Sequence, residues 1–368
     1  MSQSVTSPLT HFPIDAAGGT SRLDRKQEIL RRLTEAEDFV SGQELCELLR
    51  VSRTAVWKNI RKLKDEGYPI EAVTNKGYRL LSTGETDIFT PDRIEAGLTT
   101  AWAGRPLVFK DETGSTNEDI FALAAEGYPH GTLVTAARQT AGKGRRGRTW
   151  ISPPAGNIYM SILLKPDLPP DVTPMLTVVM ALSACQAAQE IAGGEGSDAT
   201  AASCRFGIKW PNDIVGSVNG GSWRKLCGIL TEMRMEDREI SAITIGIGLN
   251  VNQTDFAPEI AENASSFRLC TGRVIDRAAL TASVWNHFEE NYAVFEKTRD
   301  FSGLRPAYES MLVNLGREVH VLDPRTPFTG KALGINDSGE LLVRPDDGGP
   351  VRKIGSGEVS VRGVSGYV

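Results

Sequence analysis

RQTAGKGRRGRTWISPPAGNIYMS, residues 138–161, decides the fold class of most of this 368-residue chain. Gly142, Gly144 and Gly147 satisfy GxGxxG, the glycine spacing of a dinucleotide-binding βαβ unit. Such a unit needs a helix directly after its glycines, because the helix N-terminus holds the pyrophosphate. Here Trp150, Pro153 and Pro154 interrupt, and no helical periodicity follows. The stretch instead reads as a glycine-rich loop in which Lys143, Arg145, Arg146 and Arg148 concentrate positive charge, suited to closing over a polyanion.

Working outward, strand patterns fall near 132–138, 157–165, 204–210, 225–234 and 240–251. A helix starts after Ser115-Thr116-Asn117, and longer helical patterns cover about 173–192 and 275–297. Several strands succeed one another without an intervening helix, which predicts a mixed, largely antiparallel sheet with flanking helices rather than a doubly wound parallel one. From Gly316 the chain is glycine-rich, short-stranded and nearly free of helix, as in a small β-barrel. Residues 193–203, GGEGSDATAAS, read as a flexible insertion.

Toward the N-terminus, residues 1–20 read as a disordered arm. Ile29, Leu30 and Leu33 then mark a first helix, Ser41 caps a second carrying Leu45, Leu48 and Leu49, and Ser52 caps a third with Val56, Ile60 and Leu63 on one face. Residues 70–81, turning at Asn75-Lys76-Gly77, read as a hairpin. Three helices and a hairpin make a winged helix-turn-helix. Its third helix would place Arg53, Thr54, Trp57 and Lys58 near DNA bases, with Arg61, Lys62, Lys64 and the wing's Lys76 nearer phosphates. The predicted organisation is an arm at 1–20, the winged helix at 21–82, a large body at 83–314 and the barrel at 315–368.

Charge agrees with this division. The formal net charge is −5. Residues 21–81 hold 13 Lys and Arg against 10 Asp and Glu, leaving 28 against 36 elsewhere, so a small basic module is attached to an acidic body. Five cysteines without CxxC spacing argue against a disulfide framework or a zinc site. His11, His130, His287 and His320 are too scattered for metal or nucleophile chemistry. No apolar run reaches the roughly 18 residues of a membrane span, and no secretory leader is apparent, so a cytoplasmic protein without membrane contact is expected.

Two further clusters invite chemistry. Lys209-Trp210-Pro211-Asn212-Asp213 ends a strand, and a lysine directed from there into a pocket can lie between a carboxylate and a phosphate that would otherwise repel each other. Gly246-Ile247-Gly248-Leu249-Asn250-Val251-Asn252 ends another strand with small residues and amides, suited to close approach of a ligand ring. A solvated surface lysine and an ordinary strand end are the competing explanations.

The segments GSTN (114–117), ARQTAGKGRRGRTW (137–150), SPPAGNIYMSI (152–162), KWPND (209–213), KLCGILTE (225–232), GIGLNVN (246–252) and GEVSVR (357–362) stand in the order found in biotin-protein ligases. With the winged helix and its NKGYRL wing (75–80) in front, the chain resembles the bifunctional members of that family, which also repress a biotin operon. The resemblance implies an α+β protein whose central sheet is of the class II aminoacyl-tRNA synthetase and biotin ligase kind, followed by an SH3-like barrel. It further implies that biotin and ATP, with magnesium, condense to biotinyl-5′-adenylate, and that the biotinyl group then passes to a lysine of a biotin carboxyl carrier protein.

By the same resemblance Ser115, Thr116, Asn117, Gln139, Lys143, Gly144, Arg145, Lys209 and Gly246 would bind biotin. Arg145, Trp150, Lys209 and Asn250 would bind the nucleotide, with Lys209 and Arg145 central to catalysis; no metal ligand can be named. Operator DNA and a homodimer promoted by the adenylate are the implied partners. Lys143 departs from the arginine usual in the loop, keeping the charge but losing the planar fork. The alternative is a biotin-sensing DNA-binding regulator that has lost ligase activity.

Overall fold

The computed structural model describes residues 25–36, 38–65, 68–74, 76–81, 87–153, 156–193, 204–237, 239–323, 325–357, 359–364 and 366–368. The arm at 1–20 and residues 194–203 of the insertion lie outside them. Two compact units divide at Thr83/Gly84.

In the first unit, α1 (Arg25–Glu35), α2 (Gly42–Leu49) and α3 (Arg53–Asp65) precede a hairpin of β1 (Ile70–Val73) and β2 (Gly77–Leu80). Ser41 caps α2 by accepting from Glu44 N, and Arg50 ends that helix in a left-handed conformation. Ile29, Leu33, Val40, Leu45, Val56, Ile60, Leu63 and Ile70 form the core. Val40 and Tyr78 exchange backbone hydrogen bonds of 2.8 and 2.9 Å, which fastens the hairpin to the helices. Gly77 makes this possible: its φ is +118°, and a Cβ there would lie 2.1 Å from Val40 O.

The second unit continues with α4 (Pro91–Gly97), β3 (Leu107–Lys110), α5 (Thr116–Ala125), β4 (Leu133–Ala136), β5 (Asn157–Leu164), α6 (Thr173–Gly193), β6 (Cys204–Lys209), β7 (Asp213–Val218), β8 (Arg224–Glu236) and β9 (Glu239–Asn250). Short α7 (Pro258–Ala261) and α8 (Phe267–Thr271) precede α9 (Arg277–Thr298) and α10 (Arg305–Met311). The seven strands run β3-β4-β5-β9-β8-β7-β6, with only β3 and β4 parallel. The expected mixed, largely antiparallel sheet is therefore present. Strands β3 and β7 are additional to the predicted ones; four and six residues long, they have too little alternation to stand out from the flanking loops.

Period-two alternation sends the two sides of this sheet to different uses. Ile158, Met160, Ile162 and Leu164 of β5, and Ile243, Ile245, Ile247 and Leu249 of β9, enter the main core with α6 and α9. Leu163 and Ala242 point the other way, against Ile120 and Phe121 of α5. Gly246, Gly248 and Asn250 share that second face, which is where the site lies.

The C-terminal strands β10 (Glu318–Leu322), β11 (Phe328–Ile335), β12 (Leu341–Pro345), β13 (Arg352–Ile354) and β14 (Ser360–Gly363) form an antiparallel sheet ordered β13-β12-β11-β10-β14. Its Val319, Val321, Leu341, Val343 and Val361 join the main core, so this sheet is fixed to the body.

Asp87 ties distant parts of the body together. It takes a 2.5 Å ion pair from Arg277 Nε, a hydrogen bond from Arg277 N and another from Asn252 Nδ2. Arg277 also donates to Asn157 O. Because both charged side chains are largely buried, Asp87→Ala is expected to leave an uncompensated guanidinium and lower unfolding stability by about 3 kcal/mol in urea titrations.

Candidate active site and nucleic-acid interface

Segments 113–117 and 138–142 run side by side, with Thr113 N bonded to Arg138 O and Ala141 N to Gly114 O. Gln139 Oε1 accepts from Thr116 N at 2.8 Å and from Thr116 Oγ1 at 3.1 Å. Asn117 reaches across the sheet face: its Oδ1 accepts from Ser161 Oγ at 2.6 Å, and its Nδ2 donates to Glu232 Oε2 at 2.6 Å. A Cβ at Gly246 would lie 2.1 Å from Asn117 Oδ1, so only glycine leaves room for this amide.

These residues line a narrow cleft of about 50 Å³ that includes Ser115, Thr116, Asn117, Gln139, Lys143, Gly144, Arg145, Trp150 and Gly246. A wider cleft of about 430 Å³ adjoins it, lined by Arg148, Lys209, Asp213, Asn250, Arg362 and Tyr367 among others. Gly144, Arg145, Trp150, Asn212 and Lys225 border both. The candidate biotin and nucleotide residues are thus brought to two connected spaces, with Lys209 lining the wider one.

Trp150 stands on a floor made by two glycines paired across β8 and β9, Gly228 and Gly248. Added Cβ atoms would approach its indole to 2.8 Å at Gly228 and 2.4 Å at Gly248. The sequence suggested that the glycines of GIGLNVN admit a ligand directly. In the structure their clearance is filled by Asn117 and Trp150, the side chains that shape the clefts. The amides also serve the framework, Asn250 Nδ2 donating to Ser265 O and Asn252 Nδ2 to Asp87 and Ile275 O. Trp150 Nε1 is buried with no hydrogen-bond partner, against the Gly248 floor.

The basic loop is folded as a tight turn, with Gly144 N bonded to Arg148 O at 2.7 Å and Trp150 N to Gly142 O at 2.9 Å. Lys143 is ion-paired with Glu118. Arg145 donates to Asn212 Oδ1 at 2.8 Å and to the carbonyls of Ser356 and Gly357, linking the loop to the 209–213 turn and the C-terminal sheet. Burial lowers its guanidinium pKa, and Arg146 and Arg148 add repulsion.

Lys209 ends β6 opposite Asp213, the first residue of β7. The turn between them is braced throughout: Trp210 Nε1 donates to Gly339 O, and Asn212 Nδ2 to Ile229 O. Lys209 is only 5% exposed. Burial brings its ammonium down to about 8, with Lys225, Arg362 and Arg148 repelling it and Asp213 opposing the shift. Burial penalises the Asp213 carboxylate, yet Lys225, 2.6 Å away, and Lys209 hold it below its usual range. Lys225, Gly228, Arg362 and Tyr367 were not singled out from the sequence, whereas Asp213 closed the 209–213 cluster that was. The first two lay within the motif KLCGILTE, where Lys225 and Gly228 three residues apart gave no hint of a shared tryptophan.

In the first unit Arg53, Thr54, Trp57, Lys58, Arg61, Lys62, Lys64 and Lys76 are all exposed. Trp57 is 51% exposed, and the Arg61 guanidinium lies 5.6 Å from its ring centroid. An apolar ring on such a surface, bordered by cations, is suited to a nucleic-acid face.

Family models agree with this architecture. "HTH domain" matches residues 25–79, "Biotin/lipoate A/B protein ligase family" residues 112–250, and "Biotin protein ligase C terminal domain" residues 315–362. Bifunctional ligase/repressor BirA of Bacillus subtilis is 37% identical over 339 residues, covering 91% of this chain and 98% of that protein. BirA of Escherichia coli is 27% identical over 328 residues, 88% of this chain and 94% of that one. The structure of biotin protein ligase from Aquifex aeolicus in complex with biotin and ATP superposes with a TM-score of 0.58 at 31% identity, covering 70% of this chain and 99% of that one. The chain therefore belongs to the biotin/lipoate A/B protein ligase family, preceded by a helix-turn-helix domain and followed by the biotin protein ligase C-terminal domain.

Gly248→Ala is expected to push the Trp150 indole off its floor and to lower unfolding stability by about 1–3 kcal/mol through overpacking. The double variant Gly248→Ala/Trp150→Ala should be more stable than the two single losses sum to, a non-additivity that urea titrations of all four proteins would reveal.

Proposed function

We infer that this protein is a biotin-protein ligase that joins biotin and ATP into biotinyl-5′-AMP, transfers biotin to a lysine of the biotin carboxyl carrier protein of acetyl-CoA carboxylase, and represses the biotin operon as a DNA-binding protein. The observation that carries the ligase assignment is the narrow polar cleft opening, at Arg145 and Trp150, onto a wide cationic one that contains the buried Lys209.

Ser115, Thr116, Asn117, Gln139 and Gly246 define the end where the biotin rings would sit, with Lys143, Gly144 and Arg145 closing its mouth. Trp150, Lys209, Asn250 and Arg145 belong to the nucleotide side. The biotin carboxylate attacks the α-phosphorus of ATP and pyrophosphate leaves; the carrier lysine amine then attacks the acyl carbon and AMP leaves. The first step brings two anions together. An ammonium beside both lowers their repulsion, and in a buried cleft this attraction is little screened. No side-chain nucleophile is required, and none of the described histidines lines either cleft.

Among the described residues no three His, Cys, Asp or Glu side chains gather into a metal cage. Asp213, paired with Lys225 and accepting from Tyr367, is already engaged. Magnesium would arrive on the phosphates of ATP, which with few protein ligands are its usual hold in nucleotide sites. Adenylate formation would take place in the cytoplasm, and among the described residues no helix is long and apolar enough to cross a membrane.

Lys209→Ala is expected to slow biotin-dependent pyrophosphate release by about 30- to 1000-fold, from a loss of about 2–4 kcal/mol of charge stabilisation. Near wild-type release would remove Lys209 from the mechanism. The wild-type kcat/KM should also fall as pH rises through about 8, where the ammonium of the free enzyme loses its proton. The sign differs for stability. A lysine pKa depressed below its unfolded value of 10.5 disfavours the folded state at low pH, and this penalty is relieved on going above 8, so the alkaline loss of rate is not unfolding driven by Lys209.

Repression would need two winged helices. One module with a surplus of three positive charges neutralises few phosphates, whereas a homodimer promoted by biotinyl-5′-AMP reads two half-sites at once. Operator fragments should be retained at least tenfold more strongly with biotin and ATP present, and Lys58→Ala/Arg61→Ala should abolish retention while carrier biotinylation, read by mass spectrometry, stays intact. Equal retention without ligand would contradict this coupling.

A further inference from the structure

Tyr367 is placed in the wider cleft by a folded tail. Beyond β14 the chain turns back so that Gly366 pairs with Gly363 in an antiparallel bridge. Gly363 is the residue that allows it: a Cβ there would lie 2.0 Å from the Val368 carbonyl carbon and 2.1 Å from its oxygen. The tail is therefore packed against its own strand, and Tyr367 projects from it to line the cleft together with Lys209.

Two contacts fix the side chain. Its hydroxyl donates to Asp213 Oδ2 at 2.6 Å, and its ring centroid lies 3.3 Å from Lys209 Nζ. The latter is a close cation–π contact, in which the negative face of the ring favours the charged ammonium. The phenol stays protonated, because burial and then the Asp213 charge raise its pKa well above 10, so it remains a donor. Lys225 meanwhile pairs with the other Asp213 oxygen and lies 5.2 Å from the Trp150 ring centroid. One face of the Lys209 ammonium is thus met by an aromatic ring, and the neighbouring carboxylate is held by a phenol and a second lysine.

We propose that Tyr367 is a positioning residue for adenylate formation: its ring holds the Lys209 ammonium in place beside the cleft, so the C-terminal sheet completes the catalytic arrangement through this one side chain. The proposal rests on Lys209 being the cation that acts on biotin and ATP. Because the ring acts on Lys209 rather than on substrate, its loss should act mainly on kcat for pyrophosphate release and little on KM for ATP.

Tyr367→Leu keeps an apolar side chain in the space but lacks the π face, whereas Tyr367→Phe keeps the π face and lacks the hydroxyl. Pyrophosphate release is measured for both in the full chain from pH 6 to 10, with Lys209→Ala alongside. The expected result is a fall in kcat of about tenfold for Tyr367→Leu, and retention of most of the rate by Tyr367→Phe. The alkaline limb should move to lower pH in the leucine variant only, since losing the ring removes a contact that favours the charged lysine. Asp213, Lys225, Arg148 and Arg362 also face Lys209, and all are unchanged in both variants.

Wild-type kcat and pH profile in Tyr367→Leu would overturn the proposal. So would an equal loss in both variants, which would assign the effect to the hydroxyl. A faster leucine variant with lower KM for ATP would overturn it too, marking the ring as an obstruction. Unfolding curves for each variant separate these outcomes from loss of fold, and Tyr367→Met, which also lacks a π face, is read in place of Tyr367→Leu if the latter is unstable. A Lys209→Ala protein of near wild-type rate would instead refute the underlying assignment of Lys209.

Discussion

Unbalanced positive charge in the wider cleft is the constraint around which the body is arranged. Arg145, Arg146, Arg148, Lys209, Lys225 and Arg362 line it, against Asp213 and Glu259 as the acidic groups among the described residues. Burying cations without partners is costly, and the structure meets that cost in specific ways. Arg145 donates to Asn212 and to main-chain carbonyls, Lys225 pairs with Asp213, and Lys209 lies against the Tyr367 ring. What remains is a site whose charge is best completed by an anionic ligand, as a nucleotide triphosphate would do.

Holding so many cations in place draws on three parts of the chain. The glycine-rich loop contributes Arg145 and Arg148, the β6–β7 turn Lys209 and Asp213, and the C-terminal sheet the carbonyls of Ser356 and Gly357, Arg362 and Tyr367. The shared apolar core of the two sheets is therefore a functional matter as well as a stabilising one. If the C-terminal sheet moved away, Arg145 would lose two of its acceptors and Lys209 its aromatic contact. The winged helix is a compact unit with a core of its own.

Glycine has a different task at each point where the site is tight. At Gly246 it makes room for an amide that binds Ser161 and Glu232, and at Gly228 and Gly248 for the flat face of an indole. At Gly363 it lets the tail fold back. At Gly246, Gly228 and Gly248 the neighbour comes from a distant part of the sequence, so the need for glycine there cannot be seen in the local pattern; at Gly363 it is Val368, close by in the chain.

Much of this was legible in the linear sequence, because it depends on local order. The alternation of Ile245, Ile247 and Leu249 with Gly246, Gly248 and Asn250 gives a strand with one core face and one bare face. The Ser41 and Ser52 caps, the apolar positions of three short helices and the Asn-Lys-Gly turn give the winged helix. The proline-interrupted GxGxxG excludes a dinucleotide fold, and the ordered motifs indicate the ligase family and its candidate residues. The tertiary structure alone decided what those residues touch. Trp150 meets Gly228 and Gly248, Arg145 meets Asn212 and the 356–357 carbonyls, and Lys209 meets Asp213 and Tyr367. Apart from the four-residue turn between Lys209 and Asp213, these contacts join residues from about 70 to more than 200 positions apart, and no periodicity reports on such pairs. Charge compensation in a buried cleft depends on distance and burial, and these exist only once the chain has folded.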